Sequence, residues 1–165
     1  MGAIFYEEHV IILPKRLDLS ESFTITFHFY NPVPDTGKFH TLLQDSSGIG
    51  GLIVVDTSRN RIGSFSLDGE FIDSGFDLGD PEYNQKWVFF SLSYSIISSS
   101  TKLYYNLNCK EYKLMDKDII KLSTHVQYIG NCRDYDEPFG AICDLRIYRN
   151  FYTKTATLEQ IKGLI

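Results

Sequence analysis

The sequence predicts an all-β domain, a sandwich or a barrel, and three observations carry that expectation. Aromatic residues make up 15% of the 165 residues, with 12 Phe and 11 Tyr, and such side chains suit a pleated, half-buried surface. The run Ser22 to Tyr30 alternates without a break: Phe23, Ile25, Phe27 and Phe29 share one face, while Thr24, Thr26 and His28 share the other. Short runs of the same kind recur between Gly, Asp, Asn and Ser residues with no linker and no repeat, so residues 1–165 read as one domain.

Taken in order, strands are expected at His9 to Leu13, Ser22 to Tyr30, Phe39 to Gln44, Gly51 to Asp56, Arg61 to Leu67 and Lys86 to Ser95. Thr101 to Leu107, Lys110 to Met115, Val126 to Gly130 and Phe139 to Tyr148 continue the series. Two prolines and a glycine in Asn31-Pro32-Val33-Pro34-Asp35-Thr36-Gly37 make that stretch a loop, and Ser98-Ser99-Ser100 marks a turn. The tail changes character. Thr157-Leu158-Glu159-Gln160 has the capping-box form, Leu158, Ile161 and Lys162 follow at helical spacing, and Gly163 can close the turn, which predicts one short C-terminal helix.

Within Ala141 to Ile147 the period of two places Cys143 on the face of Leu145 and Ile147, as a buried thiol acting as a small hydrophobe. Asp144 and Arg146 fall together on the other face. Cys109, Cys132 and Cys143 are an odd number, which suits a disulfide framework poorly; a Cys109 to Cys132 pairing stays open. No CxxC pair and no His/Cys cluster has the spacing of a structural zinc site.

Bulk properties exclude some partners. At this length folding buries roughly 68 to 70% of the unfolded chain's surface, enough for one good core. The net charge is -5 and the 16 basic residues are scattered, so no positive field awaits phosphates and nucleic acid is not expected. No apolar run approaches the ~20 residues that span a bilayer. The opening Met-Gly-Ala-Ile-Phe-Tyr-Glu-Glu lacks the regions of a signal peptide, so the expectation is a soluble chain or a domain cut from a larger protein.

Catalysis finds little support. Glycoside hydrolysis needs two carboxylates about 5 to 9.5 Å apart, and the nearest acids, Asp68, Glu70 and Asp73 among glycines and Asp134, Asp136 and Glu137 before a proline, read as solvated loops. His9, His28 and His40 lack a nucleophile elbow or a Cys-His context. His28 reads as part of a sheet face. The acidic stretch Cys132-Arg133-Asp134-Tyr135-Asp136-Glu137-Pro138 stands out, because calcium takes 6 to 8 oxygen ligands and closely spaced acids supply several. Asp134 and Asp136 are the candidate metal ligands, with Asp45 or Asp56 joining from a neighbouring loop. Solvated loop acids are the plainer alternative. Asp45, Asp134, Tyr135, Asp136 and Glu137 are the candidate ligand-binding residues, Tyr135 by stacking on a sugar ring.

Several segments resemble the laminin G-like and concanavalin A-like jelly rolls, the superfamily that includes pentraxins. Ser22-Phe23-Thr24-Ile25-Thr26-Phe27 looks like the family's opening strand. Trp87-Val88-Phe89-Phe90-Ser91-Leu92-Ser93-Tyr94 looks like its W-H-H-V-A-V-T-Y strand, and Thr101-Lys102-Leu103-Tyr104-Tyr105-Asn106 the hairpin after it. Tyr128-Ile129-Gly130 is similar to I-G-G. The most specific likeness is Phe139-Gly140-Ala141-Ile142-Cys143-Asp144-Leu145-Arg146-Ile147-Tyr148-Arg149-Asn150, which resembles F-x-G-x-I-D-E-V-R-I-Y-N-R. Departures fall at Val88 and Phe89, where the family has His, at Leu107-Asn108-Cys109, which replaces an Asn-Gly turn, and at Asn131 in place of a glycine. The resemblance implies a two-sheet antiparallel jelly-roll sandwich with a short C-terminal helix. It implies non-catalytic recognition of a carbohydrate or protein ligand through rim loops or the concave sheet, with calcium at the rim, and an extracellular, cell-surface or secretory-lumen location. A structural or adhesion module packed against neighbouring domains is the alternative, and a hydrolase of the same fold a weaker one.

Overall fold

The computed structural model describes residues 2–4, 10–19, 21–32, 37–46, 51–97, 100–108, 111–117, 120–130 and 140–152. Twelve strands run through them: β1 (Gly2–Ile4), β2 (Ile11–Asp18), β3 (Ser22–Tyr30), β4 (Phe39–Gln44), β5 (Gly51–Asp56), β6 (Arg61–Phe65), β7 (Phe71–Asp77), β8 (Trp87–Ile97), β9 (Ser100–Leu107), β10 (Glu111–Lys117), β11 (His125–Ile129) and β12 (Ala141–Tyr148). They form two six-stranded antiparallel sheets, ordered β1-β12-β3-β8-β9-β10 and β2-β11-β4-β5-β6-β7. The expected all-β sandwich is what forms. The C-terminal helix expected at 157–163 lies outside the described residues.

Alternation dictates which side chains meet between the sheets. From β3 come Phe23, Ile25, Phe27 and Phe29, each at most 1% exposed; β8 adds Phe90, Leu92 and Tyr94, and β9 adds Leu103, Tyr105 and Leu107. The second sheet answers with Leu43, Leu52, Ile53, Val55, Ile62 and Phe76. The rings interlock at the centre, with Phe90 tilted against Phe27 at 5.7 Å and edge-on to Phe76 at 6.5 Å. A polar bridge crosses this core: the Tyr105 hydroxyl lies 3.4 Å from that of Ser64.

Two strands escaped the pattern. β1 is three residues long, and β7 spends Asp73, Ser74 and Gly75 in its middle, so it imitates a turn. β2 runs from Ile11 to Asp18 rather than from His9 to Leu13, carrying Pro14, Lys15 and Arg16 along a sheet edge where a proline costs no ladder bond.

The expected inward placement of Cys143 beside Leu145 and Ile147 is corrected by the register. Cys143 stands opposite His28 and Arg146 opposite Thr26, so Asp144 and Leu145 together face the single residue Phe27. This is a β-bulge whose first extra residue, Asp144, has φ +53°. The bulge inverts the alternation: Ile142 and Ile147 pair with core residues Phe29 and Ile25, while Cys143 shares the outer face with His28 and is only half-buried. Asp144 lies near His28.

Candidate functional site

The outer face of the first sheet holds two regions of different chemistry. At one end Thr24, Ser93 and their neighbours are buried although they point away from the core. The chain after β12 explains this. Thr24 Oγ1 donates to the Asn150 carbonyl at 2.8 Å and accepts from the Tyr152 amide at 3.0 Å, while Ser93 Oγ donates to the Tyr152 carbonyl at 2.6 Å. These hydroxyls act as a ladder for a segment laid across the sheet.

Toward the other end the face opens and becomes aromatic. Tyr30 and Trp87 are cross-strand partners whose rings meet edge-on at 5.9 Å, and Trp87 is 49% exposed. Next along the strands, His28 and Phe89 meet at 5.2 Å. Beside them His28 Nδ1 lies 3.9 Å from Asp144 Oδ2, and one ligand atom each from His28, Cys143 and Asp144 fall within 4.8 Å of one another. Burial, reinforced by the Asp144 charge, pushes the Cys143 thiol up, which keeps it protonated rather than a thiolate nucleophile.

The acidic stretch Asp134, Tyr135, Asp136 and Glu137 lies outside the described residues, but both of its anchors are defined. Gly130 donates from its amide to the Leu42 carbonyl in the second sheet. Gly140, with φ +62°, abuts the Tyr30 backbone so closely that a Cβ would run into the Tyr30 carbonyl. Gly140, which precedes β12, thus lies against Tyr30, whose partner on the other side is Trp87.

Asp45 belongs to a different neighbourhood. Asn31, next to Tyr30, donates to the Leu78 carbonyl, and Leu78 bonds back to Asn60 beside the Arg61, Asp56 and Phe39 ladder. Trp87 and the Phe39 end of β4 thus share one end of the sandwich. Asp45 follows the far end of β4, where it is 1% exposed and adjoins Ser46, which bonds to His125.

Asp56 is committed to its own turn. Burial pushes its carboxyl up, but hydrogen bonds from Ser58 and Arg59 and the Arg59 charge outweigh that and hold it below the ordinary carboxylate value. Asp68 and Glu70 flank the β6 to β7 turn, and Asp73 bonds to the Gly75 amide. Among the described residues, His28, Cys143 and Asp144 are the one group of three such side chains close enough to share a cation. Sequence reasoning placed His28 on an outer face but missed this trio, because a bulge leaves no trace in a period of two.

On the second sheet's outer face Phe39, Phe65 and Phe71 cluster at 5.1 to 5.6 Å. Arg59 lies 5.5 Å above the Phe71 ring. Gly63 makes room for that ring, since a Cβ there would strike the Ile72 carbonyl and the ring itself.

No family model matches the chain, and no curated protein matches it in sequence. Solved structures do share its shape. The botulinum neurotoxin type G receptor-binding domain superposes with a TM-score of 0.60 at 16% identity, covering 99% of this chain and 46% of that one. The receptor-binding domain of botulinum neurotoxin D gives 0.66 at 16% identity, covering 98% and 44%. A structure of botulinum neurotoxin type C, whose cell entry depends on interaction with two ganglioside molecules, gives 0.64 at 15% identity, covering 99% and 47%. What is shared is the fold. The chain spans less than half the length of these receptor-binding domains.

Proposed function

We propose that this domain is a non-catalytic recognition module of the laminin G-like type that binds a carbohydrate at the end of the sandwich carrying Trp87. The supporting observation is the half-exposed Trp87, set edge-on against Tyr30, which Gly140 abuts from its other side; Asp134, Tyr135, Asp136 and Glu137 precede Gly140 in the chain. A fixed indole face stacks on the C–H face of a sugar ring, and adjacent carboxylates accept its hydroxyls. The solved structures of like fold are receptor-binding domains, one of a toxin that interacts with gangliosides, which agrees with a carbohydrate ligand met at a cell surface. This reading leaves Asp45, buried at the opposite end, outside the site.

Calcium enters this reading through Asp134 and Asp136. Their carboxylates would supply part of the 6 to 8 oxygens that such an ion takes. The test is a glycan array probed with the chain in calcium and in chelator. We expect binding to a restricted glycan class that falls about tenfold or more in Trp87→Ala, as loss of a stacked aromatic implies, and that weakens in the Asp134→Ala/Asp136→Ala pair. Array binding unchanged in Trp87→Ala would overturn the proposal.

The second reading is a structural module, favoured by the Phe39, Phe65 and Phe71 cluster with Phe39 38% exposed. It expects no glycan binding and a neighbouring domain seated on that cluster.

A further inference from the structure

We infer that His28, Cys143 and Asp144 form a site for a zinc-class divalent cation on the outer face of the first sheet, independent of the carbohydrate reading. His28 and Cys143 are direct cross-strand partners, so their side chains leave the sheet on the same side. In an unbroken strand Asp144 would point to the opposite face. The bulge changes that: with φ +53°, Asp144 turns its carboxylate back to within 3.9 Å of His28 Nδ1.

The donor set selects the ion. A thiol sulfur, an imidazole nitrogen and a carboxylate oxygen together suit zinc and its neighbours, whereas calcium and magnesium demand an all-oxygen shell. Tetrahedral zinc with bonds of about 2.0 to 2.3 Å holds its ligand atoms roughly 3.4 to 3.8 Å apart. The three atoms here lie within 4.8 Å of one another, a gap that side-chain torsions close without moving the strands. His28 and Asp144 side chains are 42% and 56% exposed, so the ion can enter from solvent and a water completes its shell. Phe89 against the His28 ring limits the ring's freedom on the other side. Binding breaks the Cys143 S–H bond, forms a metal–sulfur bond and releases one proton to the buffer.

The experiment titrates cobalt(II) into the folded, metal-stripped chain. One equivalent should produce a thiolate-to-cobalt charge-transfer band that zinc abolishes by displacement and that calcium leaves unchanged. Cys143→Ser and His28→Ala should each remove the band, with near-ultraviolet circular dichroism showing that both variants stay folded. Asp144→Gly keeps the left-handed turn, so it tests the carboxylate without the bulge, and zinc should bind it about tenfold or more weakly. Cys109→Ser/Cys132→Ser should keep the band. An absent band, one that survives Cys143→Ser, or one lost with Cys109 and Cys132 overturns the site; displacement by calcium overturns the class of ion.

Discussion

At the scale of single residues, the polar side chains divide by how they are held. Asp56 is nearly sealed while its partner Arg59 is 54% exposed, so most of what Asp56 contributes lies in its bonds to Ser58 rather than in the screened ion pair. Its folded pKa lies below the ordinary value. The stability it adds is therefore present above the unfolded carboxyl's pKa of about 4 and is lost as pH falls through the lower folded value. Asp56→Asn should cost about 1 to 2 kcal/mol at pH 7 in urea unfolding, and the gap to the parent chain should narrow as pH falls below about 4. Trp87, half in solvent, should tolerate Ala with little change in melting temperature, which separates its role in binding from any role in folding. Composition alone foretold an aromatic core. It did not say which of the aromatic residues stay outside: on the same sheet Phe23 is fully buried and Trp87 is 49% exposed.

At the scale of elements, alternation was a sound guide wherever one strand face is dry. The span Ser22–Tyr30 follows directly from it, bounds included, while Phe39–Gln44 and Gly51–Asp56 follow from the turn residues that bound them. It misleads where geometry inserts a residue. The bulge in β12 put Cys143 beside His28, and only the pairing with β3 reveals it. Polar faces mislead in another way: Thr24 and Ser93 lie on the sheet face away from the core, yet a neighbouring segment uses their hydroxyls as backbone partners. Thr24→Val keeps the shape and the β propensity but strands the Tyr152 amide and the Asn150 carbonyl. It should lower stability by about 1 to 3 kcal/mol, and hydrogen exchange at Tyr152 should speed up more than at residues of β9. The acids of 134–137 were readable as a cluster from sequence, whereas the close approach of Gly140 to the Tyr30 carbonyl was not.

At the scale of the whole molecule, the core is one continuous cluster shared by both sheets, and Phe90 touches Phe27, Phe76 and Tyr105 at its centre. Phe90→Ala should cost about 3 to 5 kcal/mol, with fluorescence and far-ultraviolet circular dichroism losing their signals at the same urea concentration if the sandwich unfolds as one unit. The overall architecture was legible because Ser22–Tyr30 alternates clearly and short runs bounded by turn residues recur after it; the order of strands was not, because pairing joins residues far apart in the chain. That order has its own consequence. In each sheet a late strand sits between two early ones, β12 between β1 and β3 and β11 between β2 and β4. A ribosome making this domain delivers those two wedges last, so the sandwich cannot close along the way, and the nascent chain must carry the bare apolar flank of β3 until residue 148 has emerged.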